Sequence, residues 1–212
     1  TLKLELINPQ KQIVHIHEER IGFRTIEFRP KDGIYVNGTK IIVKGTNRHS
    51  FHPDGGRTTN LELSLQDALL IKEMNMNAVR SHYPPDKHFL EICDSLGIFY
   101  LNELAGWQNS YDTETGLKLL SEMINRDVNH PCIFMWSNGN EGGWNKNIDA
   151  HFADYDPQKR HVIHPWADFN GLDTHHYPAY QTGPYRLANG YTPKFSWLTS
   201  SPVTVFTTFG PV

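Results

Sequence analysis

The stretch Ile133-Phe134-Met135-Trp136-Ser137-Asn138-Gly139-Asn140-Glu141 decides the fold class of this chain. Its first four residues are all apolar, which is typical of a strand buried on both faces of a parallel sheet. A short polar segment then leads to Asn140 and Glu141, so two side chains with hydrogen-bonding and acid–base chemistry follow a buried strand. The stretch therefore predicts an α/β protein with polar groups at the carboxyl end of a strand.

Similar apolar runs alternate with helical patterns along much of the chain. Further strands are predicted at 41–43, 77–82 and 98–101, with weaker runs around 161–163 and 172–174. The helices between them are marked by a capping box at Ser64 and Asp67, by an apolar stripe at 89–96 that Gly97 stops, and by a stripe at 120–128 that Pro131 ends. Such regular alternation indicates parallel strands joined by helical crossovers.

Two architectures fit this alternation, an open doubly wound sheet and a (β/α)8 TIM barrel. Polar residues follow successive strands, namely Asn47, Arg48 and His49, then Arg80 and His82, then Asn102 and Glu103, then Asn140 and Glu141. In a barrel such residues converge on one face, whereas an open sheet concentrates them at one switch point, usually beside a Gly-rich phosphate loop. The sequence contains no GxGxxG motif. The barrel is therefore favoured, and a nucleotide-binding α/β protein is disfavoured.

The two ends of the chain differ from this central pattern. Residues 1–29 show a period of two without any helical period, so they are predicted to be strands of a separate unit. Residues 30–193 are predicted to form a partial barrel, and residues 194–212 an atypical tail. A complete barrel takes about 250 residues, so about six of its eight strands are expected here.

Composition limits the classes of function that remain. A content of 38% hydrophobic and 20% charged residues suits a globular chain, and the net charge of −3 offers no basic excess for nucleic acid. No apolar run is long enough for a membrane helix. Two cysteines exclude a disulfide scaffold and a four-cysteine zinc site, and the 12 histidines show no zinc-motif spacing, so no metal site is predicted. The compartment stays open between the cytoplasm and the periplasm or exterior.

Asn140 and Glu141 form the most informative pair of polar residues. A glutamate held beside apolar walls, for which Trp136 and Trp144 are the candidates, has its charged form desolvated and is suited to donate a proton. The neighbouring amide can donate to a substrate hydroxyl. A loop glutamate in a structural ion pair is the alternative interpretation of the pair alone.

Four motifs carry a resemblance to a known family. Residues 127–141 (DVNHPCIFMWSNGNE) resemble the acid/base signature of glycoside hydrolase family 2, and residues 77–84 (NAVRSHYP) resemble its other signature. Residues 21–24 (IGFR) and 44–49 (KGTNRH) match the family's entry into its catalytic barrel. The histidine, proline and glycine of the segment 52–55 favour the β-galactosidase branch over glucuronidases and mannosidases. Residues 1–29 would then be the last strands of an immunoglobulin-like β-sandwich.

The resemblance implies a role for each of several residues. Glu141 matches the general acid/base and Asn140 the residue that contacts the sugar 2-hydroxyl. The remaining substrate-binding positions are His49 and His82, which match active-site histidines, Tyr177, which matches a tyrosine near the nucleophile, and Arg80 and Glu103, which line the pocket. Trp107, Trp144, Trp166 and Tyr177 are candidate sugar-stacking platforms, whereas Trp136 is expected in the core.

The implied activity is hydrolysis of terminal non-reducing β-D-galactosides with retention, through a covalent glycosyl–enzyme intermediate. No cofactor is required for it. Some β-galactosidases of the family use Mg²⁺ beside the acid/base, but Trp107 and Asn109 stand near the positions of those ligands, so this site is expected to be altered. The expected partner is a β-galactoside or related carbohydrate, and the full-length protein is expected to be a homo-oligomer.

A retaining glycosidase also needs a nucleophilic carboxylate, about 5–5.5 Å from the acid/base. The family places it on a later strand, yet the sequence contains no Asp or Glu after Tyr177. The chain alone is therefore expected to be inactive. Two alternatives stay open: a degenerate carbohydrate-binding pseudoenzyme, and a member of the β-glucuronidase or β-mannosidase type.

We hypothesise that the tail from about Lys194 is translated out of frame. Residues 194–201 can be encoded by codons that are then read in another frame, starting at the third base of the lysine codon. This frame allows the sequence Val-Phe-Met-Ala-Asn-Glu-Phe, which resembles an apolar strand with a glutamate near its end. Sequencing the gene tests this hypothesis, which fails if no single-base shift restores a strand that carries a glutamate.

Overall fold

Two small antiparallel sheets come first along the chain in the computed structural model, which describes residues 1–29, 32–176 and 203–208. Strands β1 (Leu2–Ile7) and β2 (Ile13–Glu19) form one sheet. Strands β3 (Ile26–Arg29), β4 (Gly33–Val36) and β5 (Thr39–Ile41) form the other. Because β3 pairs with β4, the two strands on either side of the predicted boundary at 29/30 share one sheet. The assignment of residues 1–29 to a β-sandwich stays a prediction.

The first strand of the parallel sheet lies later than the sequence predicted. Of the run 41–43, only Ile41 is in a strand, the antiparallel β5, and Ile42 is exposed. The parallel sheet begins instead at β6 (Gly45–Asn47), where Gly45 and Asn47 are weak strand formers on either side of Thr46. Its position is set by pairing, since the Lys44 carbonyl accepts from the backbone N–H groups of Asn77 and Ala78. Tertiary pairing therefore overrides local propensity here.

Five strands follow one another across this sheet in chain order. They are β6, β7 (Ala78–Arg80), β8 (Phe99–Trp107), β9 (Ile133–Asn140) and β10 (Val162–Ile163), and each neighbouring pair is parallel. A doubly wound sheet reverses its strand order at a switch point. The unbroken order β6-β7-β8-β9-β10 is the arrangement of a barrel.

Three further strands complete the described part of the chain. Strand β11 (Asp168–Phe169) is antiparallel to β12 (Leu172–His176), which pairs in parallel with β13 (Val203–Thr208). The weak runs of the sequence are thus confirmed as strands β10 and β12. Strand β13 lies in the predicted tail 194–212, whose other residues lie outside the described residues, and the frameshift hypothesis stays untested.

Helices connect the parallel strands as expected. They are α1 (Leu61–Glu73), α2 (Lys87–Leu96), α3 (Thr113–Asp127), a 3-10 helix at Lys146–His151 and α4 (Phe152–Tyr155). The predicted capping box at Ser64 is wrong: Asn60 caps α1 by accepting from the Leu63 N–H at 2.8 Å, and Ser64 is buried inside the helix. Gly97 ends α2 in the left-handed conformation, as predicted. Among the described residues, no helix is long and apolar enough to cross a bilayer.

The core lies between the parallel sheet and its helices. Its largest fully buried side chains include Trp136, Tyr100 and Phe89. Trp136 is therefore a core residue, as predicted, and its indole N–H donates to Asp156 at 2.8 Å. Both cysteines are buried among these side chains. Burial raises the pKa of the Cys93 thiol to about 12 and that of Cys132 well above its ordinary value, so both remain unreactive thiols.

The segment 21–24 anchors the N-terminal strands beneath the parallel sheet. The Arg24 guanidinium donates to the Ile133 carbonyl, at the start of β9, and to Gln158 at 2.9 Å. Burial, and then the charge of Arg160, lower the pKa of Arg24 to about 10, which leaves it protonated at neutral pH. Gly22 packs directly on the ring of Pro131, where a Cβ would lie 2.6 Å from Cγ. This junction tolerates no larger residue at position 22.

We expect Gly22→Ala to lower the free energy of unfolding by about 1–3 kcal/mol, because the added methyl group overlaps Pro131. Urea denaturation followed by tryptophan fluorescence measures the change. Gly116→Ala is the matched control, since a Cβ in α3 at that position meets Ile148 only at 3.4 Å and alanine favours the helix. Equal destabilisation by both substitutions would contradict the close contact.

A buried histidine–carboxylate pair gives stability a second, pH-dependent contribution. The Asp94 carboxylate lies 2.6 Å from His130 Nδ1 and accepts from the Cys132 N–H at 2.9 Å. Burial by itself raises the pKa of Asp94, but these hydrogen bonds outweigh burial and hold the pKa below its ordinary value. The contribution is therefore complete above the unfolded pKa of about 4 and is lost as the pH falls through the lower folded value.

We expect Asp94→Asn to lower the free energy of unfolding at pH 7 by about 1–3 kcal/mol, because two buried hydrogen bonds lose their charged acceptor. The difference from the wild type should shrink as the pH falls below about 4. Urea denaturation at a series of pH values measures it. A difference that stays constant down to pH 2 would show that ionisation of Asp94 plays no part.

Candidate active site

The carboxyl ends of four neighbouring parallel strands bring most of the predicted site residues together. Strand β6 leads into His49, β7 ends at Arg80, β8 carries Glu103, and β9 ends at Asn140. Because parallel strands present their carboxyl ends at one edge of the sheet, side chains far apart in sequence meet there.

Arg80 is the centre of the hydrogen-bonded group at this edge. Its Nη2 donates to Glu103 Oε2 at 2.6 Å and to Asn140 Oδ1 at 2.7 Å, and its Nε donates to the same Glu103 oxygen at 3.1 Å. Ser137 adds a hydroxyl bond to that oxygen at 2.9 Å. The Glu103 side chain is fully buried and that of Arg80 is 5% exposed, so each charge depends on the other. Arg80 thereby fixes the orientation of the Asn140 amide.

Two imidazoles lie beside this group. His82 Nδ1 lies 3.6 Å from Glu103 Oε1 and 3.4 Å from Arg80 Nη2, and its ring stacks on that of His49 with centroids 5.1 Å apart. His49 Nδ1 lies 3.2 Å from the Tyr83 hydroxyl. Partial burial, and then the positive charges of His82 and nearby arginines, lower the pKa of His49. His49 is therefore neutral at pH 7 and offers a hydrogen bond without a charge.

Glu141 follows β9 in a constrained turn. Its φ of 46° lies in the left-handed region, which is uncommon for a residue with a side chain and occurs often at functional sites. Its Oε2 accepts a hydrogen bond of 2.9 Å from the indole Nε1 of Trp107, the last residue of β8. Glu141 therefore lies on the strand-end edge of the sheet, next to Asn140 and beside β8.

The two tryptophans that were predicted to pack beside Glu141, Trp136 and Trp144, have other contacts. Trp136 points into the core, and Trp144 stacks on His164 with centroids 5.1 Å apart. The indole that contacts Glu141 belongs to Trp107, which the sequence marked only as a stacking platform and an altered metal position. Its spacing of 34 residues from Glu141 gives no local signal, and only its place at the end of a neighbouring strand could have suggested the contact.

Tyr177 and Trp166 were the other predicted site residues. Tyr177 lies outside the described residues, so its predicted role stays a prediction. Trp166 is 61% exposed, beyond β10. Tyr83 and Ser137, which hydrogen-bond to His49 and Glu103, were not predicted. Both lie within the quoted motifs, which was the available signal.

Trp107, which ends β8 beside Glu141, is not suited to bind a cation there. The indole of Trp107 can only donate, and it directs its N–H at the Glu141 carboxylate, so it cannot be a metal ligand. Within the described ranges, no group of three or more His, Cys, Asp or Glu side chains is arranged to hold a metal. Trp107 therefore does not fit the ligand position that the family resemblance implies, and the absence of a metal site stays a prediction.

Comparison with known proteins gives a family match over much of the chain. The family model for the TIM barrel domain of glycosyl hydrolases family 2 matches residues 28–162. The β-galactosidase of Lactococcus lactis subsp. lactis (strain IL1403) is 36% identical over 161 residues, which are 70% of this chain and 16% of that protein. The β-galactosidase of Thermoanaerobacterium thermosulfurigenes is 37% identical over 154 residues, or 68% and 21% of the two chains.

A solved structure agrees with these relatives. The β-glycosidase from Bacteroides vulgatus superposes with a TM-score of 0.71 at 30% identity, and the match covers 84% of this chain and 25% of that one. The chain thus spans only a part of each relative. Its strand order, the matched region and the relatives' sequences agree: the chain belongs to glycosyl hydrolase family 2, is β-galactosidase-like, and carries part of that family's (β/α)8 TIM barrel.

Proposed function

We propose that these residues supply the acid/base side of the active site of a retaining β-galactosidase. The observation that carries the proposal is the placement of Glu141 directly after Asn140, whose amide oxygen is held by the buried Arg80–Glu103 pair. A primary amide can donate through its NH₂ group while its oxygen accepts, so Asn140 is suited to bind a sugar hydroxyl. The two relatives named above are both β-galactosidases, which supports galactose as the sugar.

In the proposed first step, Glu141 donates a proton to the glycosidic oxygen as the bond between that oxygen and the sugar C1 breaks. A carboxylate nucleophile forms the new bond to C1, which gives a covalent glycosyl–enzyme and the free alcohol. In the second step a water attacks C1, gives its proton to Glu141, and releases the nucleophile. Asn140 donates to the 2-hydroxyl, where hydrogen bonds strengthen in the transition state. His49 and His82 are proposed to bind other hydroxyls.

The nucleophile is proposed to lie on a later barrel strand. The sequence has no Asp or Glu after Asp173, so the 212 residues contain no carboxylate on a strand later than β12. A carbohydrate-binding protein that retains the pocket without catalysis is the second candidate function. A longer gene product with a further carboxylate would satisfy the first proposal, whereas a chain that binds galactose without cleaving galactosides would satisfy the second.

We expect Glu141→Gln in the full-length gene product to reduce kcat for methyl β-galactoside about 10²- to 10⁴-fold, because an amide cannot donate the proton. Hydrolysis of methyl and 4-nitrophenyl β-galactosides, with a 4-nitrophenyl β-glucuronide for comparison, measures activity and sugar preference. Glu122→Gln, on the exposed face of α3, is the matched control and should leave turnover unchanged.

The purified 212-residue chain should show negligible turnover of the same substrates. Hydrolysis by this chain that Glu141→Gln abolishes would overturn the proposed need for a later nucleophile. Calorimetry with galactose separates the two candidate functions, since binding without hydrolysis by the full-length product supports the carbohydrate-binding protein. Full activity of Glu141→Gln on methyl β-galactoside would refute the acid/base role.

A further inference from the structure

We propose that Trp107 positions the Glu141 carboxyl and forms the wall of a leaving-group subsite that favours aglycones with a flat apolar face. The inference rests on the proposed function, because it takes Glu141 to be the proton donor. It starts from one contact, the 2.9 Å hydrogen bond from the indole Nε1 to Glu141 Oε2. It adds one property of the same side chain, which is 66% exposed although it is large and apolar.

The contact depends on a close approach of two chain segments. A Cβ on Gly143 would lie 2.5 Å from the backbone nitrogen of Trp107, and a Cβ on Gly106 would lie 2.5 Å from the Gly143 carbonyl oxygen. Gly139 is equally enclosed, because a Cβ there would lie 2.4 Å from the same oxygen. Gly106 and Gly143 therefore allow the end of β8 to pack against the turn that carries Glu141, and Gly139 allows that turn to fold closely on itself. A side chain at position 106 or 143 would push the end of β8 away from this turn.

Backbone hydrogen bonds fix the register of this approach. Trp107 pairs with Asn140 at the end of the β8–β9 ladder, after a register shift in the pairing. The Gln108 N–H donates to the Asn140 carbonyl at 3.2 Å, and Gln108 has a left-handed φ of 60°. The indole is thus held beside Glu141 by strand pairing on one side and by the glycine contacts on the other.

The indole N–H acts on the carboxyl as a directional donor. The bond to Oε2 favours the side-chain rotamer of Glu141 in which the carboxylate meets the indole N–H. Placement of a catalytic group matters because a displacement of about 1 Å can cost about 100-fold in rate. A tryptophan therefore orients the acid at a position where some relatives are expected to use a cation.

The exposed ring supplies the second part of the proposal. A proton donor must lie within hydrogen-bond reach of the leaving oxygen, so the group attached to that oxygen lies beside whatever adjoins Glu141. The indole adjoins it. Trp136 is fully buried, and Trp144 is half-buried with one face stacked on His164, so Trp107 is the most exposed of the three indoles. An aryl group or the apolar face of a second sugar would stack on Trp107.

Two substitutions separate these roles in the full-length gene product. Trp107→Phe keeps an aromatic face and loses the N–H donor, whereas Trp107→Gln keeps a donor of similar reach and loses the face. The substrates are methyl, 4-nitrophenyl and 2,4-dinitrophenyl β-galactosides, because dinitrophenolate leaves without protonation and methoxide does not.

For Trp107→Phe, we expect kcat/KM to fall about 10- to 100-fold for the methyl galactoside, in line with the cost of a misplaced catalytic group. The dinitrophenyl galactoside should change less than about 3-fold, since its leaving group needs little help from an acid. For Trp107→Gln, we expect KM for the nitrophenyl galactoside to rise about 2- to 10-fold relative to that for the methyl galactoside, which corresponds to the loss of one aromatic contact. If Trp107 had only a structural role, its substitution would lower kcat/KM by the same factor for every substrate.

Glu141→Gln in the same substrate series distinguishes failure of this inference from failure of the proposed function. If Glu141→Gln shows no loss that grows with leaving-group basicity, Glu141 is not the acid and both proposals are overturned. If Glu141→Gln shows that dependence and Trp107→Phe matches the wild type, only the positioning role is overturned. Equal losses for every substrate in both Trp107 variants would also overturn the inference.

Discussion

The buried ion pair between Arg80 and Glu103 is the interaction on which the strand-end site depends. A carboxylate with no exposed surface is very costly unless a charged donor meets it, and Arg80 provides two such contacts. The same guanidinium reaches Asn140 on β9, so a charge pair between β7 and β8 also orients a residue on a third strand. The arrangement proposed for catalysis at Glu141 therefore depends on a charge pair that is needed to bury Glu103.

Close backbone packing then sets the position of Glu141 itself. Gly106 and Gly143 leave no room for a Cβ between β8 and the turn that carries Glu141, and this lets the indole of Trp107 reach the carboxylate. Glu141 adopts a left-handed φ at the same turn. Such a conformation costs about 1–3 kcal/mol and persists only where the surroundings impose it. The turn is thus held by packing, whereas the Arg80 group is held by charge.

Much of the fold followed from local patterns. The apolar run of β9 was recognisable because both of its faces are buried, and Gly97 ended α2 where the left-handed cap requires glycine. The start of α1 was predicted wrongly because Asn60 competes with Ser64 as a cap, and a sequence pattern cannot tell which side chain has room to bend back. Strand β6 was missed because Gly45, Thr46 and Asn47 become a strand only by pairing with β7.

The sequence by itself determined the parallel α/β class, the family resemblance, and the candidate group of Arg80, Glu103, Asn140 and Glu141. Each of these depends only on the order of residues within one strand or one motif. The tertiary structure alone decided which partners those residues take. Arg80 meets Asn140 across 60 positions, and Trp107 meets Glu141 across 34. Contacts of that kind arise from strand register and from the space between backbones, and neither is a property of any short stretch of chain.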